Sequence, residues 1–208
     1  DAVRTSVLLA ALAATLVALL TFIAAWITQR GAPRHGWMLD ALAFTPIAIP
    51  SVIIGASVLF AYLMLPPPLN GLYNTIWILL IAYVTMYLPY GMRFCSGGLT
   101  QIHKELEESA AMSGASWGTT FRRVVLPLLK PGLLAGWIYV VIVSIRELSS
   151  SILLYSPGSE VISIIIWELW QNGQYVELSA LGVMFIVALF ILVMLAQLAG
   201  RRFGMKEI

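Results

Sequence analysis

Long stretches without a single charge decide what this chain can become. Val7–Ile27 runs for 21 residues with no Asp, Glu, Lys or Arg, and Leu72–Met92 and Leu178–Ala199 are equally uncharged. About 20 apolar residues in helical form cross the roughly 30 Å of a bilayer's hydrocarbon. The composition agrees, with 60% hydrophobic and only 11% charged residues, against about 25% charged in ordinary soluble domains. A membrane β-barrel would alternate polar and apolar residues in runs of about 10, which this sequence does not do. The chain is therefore expected to be an all-α integral membrane protein. One cysteine, Cys95, excludes an internal disulfide and a cysteine metal cluster. The sequence opens at Asp1 without Met, and further spans are expected upstream of it.

About five transmembrane helices can be placed in order. After the first, Gly31, Pro33, Arg34 and His35 form a polar turn. The second, about residues 41–65, holds Pro46 and Pro50 and is expected to be a kinked helix. Gly55, Ala56 and Ser57 are small enough for close helix approach. A loop, Leu65-Pro66-Pro67-Pro68-Leu69-Asn70-Gly71, leads to the third span, where Tyr83, Tyr87 and Tyr90 share one face. A helix from Gly132 to Tyr155 is expected to hold Arg146 and Glu147 at membrane depth. A charge there costs at least about 2.5–3.5 kcal/mol on insertion scales, so the pair should face the bundle interior, a cavity or a partner. Arg146, Glu147, Tyr83 and Tyr87 are thus the candidate gate or substrate path, with packing or an internal ion pair as the plainer reading. Val161–Trp170 is short and suits an interfacial or re-entrant helix.

Basic residues set the orientation. Alternating the five spans puts Arg30, Arg34, Arg93, Lys104, Arg122, Arg123, Lys130, Arg201, Arg202 and Lys206 on one side, and Arg4 with Asp1, Glu160, Glu168 and Glu177 on the other. The positive-inside rule makes the first side cytoplasmic. The polar island Arg93–Pro131 then faces the cytoplasm. Glu105, Glu107 and Glu108 complement a helix N-terminus. Ser109, Ala110 and Ala111 leave its surface open to close approach. Gly114 suits a left-handed stop and Ser116 a cap for a second short helix, about Trp117–Val125, that Pro127 ends. A solvated basic loop would explain the arginines but not the small-residue patch or the capped turn.

The order Glu108, Ser109-Ala110, three residues, Gly114, nine residues, Val124, Leu126-Pro127 resembles the EAA motif of the permease subunits of binding-protein-dependent ABC importers. Ser replaces the usual first Ala and Val the usual Ile. Arg146-Glu147-Leu148 and the stretch LLYSPGSEVISIIIWELWQNG further resemble iron(III)-type permeases, and the likeness covers nearly the whole chain. The resemblance implies that residues 1–208 are one permease domain, most like the C-terminal half of such a protein and a fragment of a six-helix unit. It implies a coupling loop of Glu107, Glu108, Ser109, Ala110, Ala111, Gly114, Ala115, Leu126 and Pro127 that docks on a separate cytoplasmic ATPase dimer. It also implies a second permease half, a periplasmic binding protein and a bacterial inner-membrane location, with iron(III) the expected cargo. Thiamine, phosphonate, polyamine or oxyanion import are the near alternatives.

No G-x-x-x-x-G-K-[ST] phosphate loop occurs, so ATP and Mg are expected on the partner ATPase and no cofactor in this chain. His35 and His103 are isolated, no metal or catalytic set suggests itself, and no nucleic-acid partner is expected. An ion-coupled secondary transporter would need intramembrane carboxylates, to which Glu147 alone hints. A membrane-embedded enzyme lacks a polar constellation.

Overall fold

The computed structural model describes residues 1–202 except 32, 67, 68 and 73, and gives backbone only at 33–35, 69, 70 and 199–202. The expected loop residues Pro67 and Pro68, and the side chains of Arg34, His35, Arg201, Arg202 and Lys206, lie outside the described residues. The α-helices are α1 (Ala2–Arg30), α2 (Pro33–Phe44), α3 (Ser51–Met64), α4 (Ile76–Gln101), α5 (Lys104–Met112), α6 (Trp117–Thr120), α7 (Leu126–Ile145), α8 (Ser151–Leu154), α9 (Ile162–Gln171) and α10 (Tyr175–Arg202). Among the described residues, four stretches are long and apolar enough to cross a membrane: Ala2–Arg30, Ile76–Gln101, Trp117–Ile145 and Tyr175–Leu198. A bent pair formed by α2 and α3 makes a fifth if taken as one span.

Helices α1, α4 and α7 form the centre. Matching neighbours fix their directions. Gly91 lies against Val17 and Thr21, and Cys95 Sγ is 3.4 Å from Thr21 Oγ1, so α1 and α4 run parallel. Tyr87 reaches Val143, Phe94 meets Gly136, and Gly98 meets Leu129, so α7 runs antiparallel to α4. Glycine makes these approaches possible. A Cβ on Gly91 would stand 2.5 Å from Val17 Cγ1, and one on Gly136 2.9 Å from Phe94 Cβ. In a membrane, contact between helices comes from such packing rather than from the hydrophobic effect. The core residues Leu9, Ala10, Ala13, Ala14, Ile78, Leu79, Ala82 and Val140 are fully buried here.

The structure departs from the sequence reading at four places, each with a local cause. Residues 41–65 are no kinked helix: α2 continues through a 3₁₀ turn (Thr45–Ala48), and the axis then turns by 108° into α3. Pro50 disfavours helical geometry at the residue before it, and Ile49 is extended at φ −107°, ψ 124°. Pro50 itself has ψ 138° and restarts the chain as the cap of α3, accepting from Ile53 N–H and Ile54 N–H. Second, α4 passes through Pro89 and runs to Gln101, so Arg93 belongs to the span and not to the loop.

Third, Pro127 ends no helix. A π turn over Phe121–Val125 joins α6 to α7, and Leu126 N–H bonds back to Phe121 O. The proline then falls in the first turn of α7, where a missing N–H is tolerated, and Pro131 lies inside the same helix. Fourth, α7 stops at Ile145. Arg146 and Glu147 occupy a break before the one-turn α8, and do not sit on a continuous helix to Tyr155. The break is seated on α3, where a Cβ on Gly55 would meet Ser150 Cα at 2.9 Å.

Gly91→Leu should force α1 from α4 and lower stability by about 1–3 kcal/mol. A Cβ on Gly97 meets nothing within 4 Å, so Gly97→Leu should leave stability unchanged. Thermal unfolding of the two detergent-purified variants compares them directly.

Candidate functional site

The polar island folds into an exposed helix–turn–helix. Glu105 and Glu107 lie in the first turn of α5, where acids complement the positive end of the helix dipole. The helix ends in a Schellman arrangement. Gly114 takes φ +80°, its N–H bonds Ala111 O at 2.9 Å, and Ala115 N–H bonds Ala110 O at 3.0 Å. Ser116 then caps α6, its Oγ accepting from Thr119 N–H at 3.4 Å. The turn is therefore built from local bonds, and a Cβ at Gly114 would meet open space but an unfavourable φ.

Two contacts tie this element to α1. Arg30, the last residue of α1, donates from Nε to Glu107 Oε1 at 2.7 Å and from Nη2 to Ile102 O at 2.6 Å and Leu99 O at 3.4 Å. Both side chains of the ion pair are largely shielded, at 11% and 22% exposure. One helix turn earlier, Trp26 meets Phe121 and Trp117 edge-on, with ring centroids 5.5 and 6.1 Å apart, and Phe22 meets Phe121 at 5.8 Å. Phe22, Trp26 and Arg30 recur every four residues, hence on one face of α1. That face grips α5 through charge, and α6 and the π turn through aromatic rings.

Of the expected loop residues, Glu108, Ser109, Ala111 and Gly114 are exposed, and Ala110 and Ala115 are half-buried. Glu107 turns inward to Arg30. Leu126 and Pro127 are exposed on the span beyond the π turn and stand apart from the α5 surface in sequence and element. Met112, 91% exposed at the end of α5, and Trp117, 69% exposed, add apolar surface to the element. Sequence reasoning missed Arg30, which counted only as a basic residue for orientation. Its four-residue spacing from Trp26 was the available signal.

The second candidate set forms a closed polar knot. Glu147 Oε1 accepts from Ser150 N–H at 3.0 Å, and Tyr87 Oη donates to Glu147 Oε2 at 3.4 Å. The Glu147 carbonyl accepts from Ser163 Oγ at 2.7 Å and Ser151 Oγ at 3.1 Å, and Tyr83 Oη is 2.8 Å from Ser151 Oγ. Tyr83 and Tyr87 are buried, at 1% and 6% exposure, and seal the break. Arg146 is exposed and shares in none of this. The tyrosine that does reach an open face is Tyr90, packed 5.2 Å from Tyr139 of α7. Among the described residues no group of three His, Cys, Asp or Glu side chains is placed to hold a metal ion.

Residues 19–204 match the family described as the binding-protein-dependent transport system inner membrane component. The chain is 30% identical over 178 residues to a protein of Salmonella paratyphi A named as a 2-aminoethylphosphonate transport system permease, PhnV, covering 86% of this chain and 66% of that one. It is 26% identical over 187 residues to the Fe(3+)-transport system permease protein FbpB 2 of Haemophilus influenzae, covering 90% of this chain and 36% of the relative. The chain thus spans just under two thirds of the first relative and about a third of the second. The fold is shared with a bacterial alginate ABC transporter solved with an alginate pentasaccharide-bound periplasmic protein, at a TM-score of 0.79 and 18% identity over all of this chain and 80% of the other. With the match running through nearly every helix described above, the chain belongs to the inner-membrane permease family of binding-protein-dependent ABC importers.

Proposed function

We propose that this chain is one transmembrane half of an ATP-driven importer and that α5 with its Gly114 turn is its docking element for a cytoplasmic ATPase. The observation that carries the reading is the double attachment of the helix–turn–helix. Its first arm is clamped by Arg30, and its second runs without interruption into the span Trp117–Ile145. A push on the exposed Ser109–Ala111 surface would therefore reach α1, α4 and α7 together. ATP and Mg reside on the ATPase pair, and their closure and release alternate the bundle between outward- and inward-facing states. A second permease half completes the path, and a periplasmic protein delivers the cargo. In this orientation α5 and the C-terminus face the cytoplasm of a bacterial inner membrane. The cargo is a small ligand of the phosphonate or iron(III) kind that the relatives' names carry.

Gly114→Val tests the docking. A β-branched residue at φ +80° is strained by about 1–2 kcal/mol and re-aims the turn. Uptake into proteoliposomes by the importer purified with its co-encoded subunits should fall at least tenfold while membrane insertion is retained. Uptake equal to the parent would refute the role given to α5.

Arg30→Gln removes the ion pair to Glu107 and leaves the α4 carbonyls Ile102 O and Leu99 O with a weaker donor. Loss of a charge-assisted contact of this kind costs about 1.5–3 kcal/mol. Basal ATP hydrolysis should persist while its stimulation by the loaded binding protein drops, and Arg30→Lys should recover part of it. Full stimulation in Arg30→Gln would show that the clamp does not transmit.

A further inference from the structure

Helices α4 and α7 contain no acidic residue, yet each carries or adjoins an exposed arginine. Arg93 lies within α4, eight residues before its last, and Arg146 immediately follows α7. Both are exposed, and neither makes an ion pair or hydrogen bond with another described residue. Glu147, next to Arg146, spends its carboxylate on Ser150 and Tyr87, so it does not neutralise its neighbour.

The arginines belong to one stripe. Tyr90, three residues before Arg93, packs on Tyr139 at 5.2 Å. Tyr139 is 37% exposed and lies seven residues, two helix turns, before Arg146. The hydroxyls of Tyr90 and Tyr139 have no partner among the described residues, unlike those of Tyr83 and Tyr87. Four polar groups are thus open along one surface of the α4–α7 pair: Arg93, Tyr90, Tyr139 and Arg146.

Their depth excludes two interfacial anchors. The bonds Tyr87–Val143 and Tyr83–Glu147 set Arg146 level with about residue 84 of α4. Arg93 is then about nine residues, or about 14 Å, further along the axis. A hydrocarbon layer of about 30 Å is too thick for one to sit at each boundary. At least one guanidinium lies at membrane depth, where an unpaired arginine requires water or a counter-charge.

We propose that this stripe is the part of the translocation path this half supplies, and that it selects an oxyanion-bearing cargo such as a phosphonate over a polyamine. Arginine presents a planar fork of donors suited to phosphonate or carboxylate oxygens, and the phenols add neutral donors between the two charges. A cationic ligand would meet two uncompensated positive charges. The proposal rests on the permease reading above, and it concerns which cargo passes rather than how ATP drives it.

The test needs no knowledge of the natural ligand. In the importer purified with its co-encoded subunits, Cys95→Ser removes the buried native thiol and Tyr139→Cys, or separately Tyr90→Cys, supplies a reporter. Modification rates are measured with an anionic sulfonatoethyl and a cationic trimethylammonioethyl methanethiosulfonate and normalised to free cysteine. The anionic-to-cationic rate ratio should exceed that of free cysteine by about tenfold, as field focusing in a cleft implies. Arg93→Gln with Arg146→Gln should return it toward one. Absence of reaction at both reporters would place the stripe against lipid or a dry interface and overturn the proposal. A ratio that the arginine changes do not move would overturn it as well, and would assign the charges to pairing with the other half. Binding-protein-stimulated ATP hydrolysis of the Cys95→Ser parent is read alongside, and its absence would count against the permease reading and leave the rate ratio to decide the stripe.

Discussion

The Arg30 guanidinium is the contact on which the exposed end of this molecule depends. A helix leaves its last carbonyls unsatisfied, and α4 ends at the point where the chain must leave the membrane and start α5. Arg30 answers both needs at once, taking Ile102 O and Leu99 O from one helix end and Glu107 from the next helix start. Lysine has a single charged point and could not span this set with the same fork. The aromatic contacts from Phe22 and Trp26 then fix the second arm. Without α1's last two turns, the helix–turn–helix would hang from the bundle by its two ends alone.

Inside the bundle the constraint is different, because water is absent and the backbone polar groups need internal partners. The fold meets it in two ways. Helices α1, α4 and α7 close on one another through Gly91, Gly98 and Gly136, with Thr21 Oγ1 donating to Val17 O one turn earlier in its own helix. The break after α7 exposes backbone groups at depth, and Glu147, Ser151, Ser163 and the two buried tyrosines bond them. Glu147 is therefore best understood as the cap of a broken helix. Its charge is spread over several donors, so Arg146 is left to act separately.

Much of this was legible in the sequence, and the failures share a cause. Uncharged runs marked α1, α4 and α10, and the residue order around Gly114 gave the turn, because both are set by local chemistry. Proline was read in the wrong direction twice. Pro50 breaks its segment where a kink was expected, while Pro127 is absorbed into a helix. The difference lies in neighbours: Pro127 follows a π turn that already lacks the α-helical bond, whereas Ile49 and Pro50 are extended together. Arg30–Glu107 joins residues 77 apart, and no local pattern states such a pair. The Tyr83 and Tyr87 face was seen, but only packing decides that these two are sealed while Tyr90 is open.

The continuity of Trp117–Ile145 gives the two ends of the molecule a mechanical relation. This span is a single rod of 29 residues, about 44 Å long, with the Gly114 turn at its start and the Glu147 knot at its finish. A soft point lies at the π turn Phe121–Val125, where the helical bond pattern is loosened. Phe121 in that turn is the ring gripped by Phe22 and Trp26, so α1 braces the rod where it would otherwise bend. At the far end the knot bonds α7 to α4 and α9, and Gly55 seats it on α3. Tilting the rod about its braced end must therefore carry α4 with it or break the Tyr83 and Tyr87 bonds that hold Arg146 level with residues of α4.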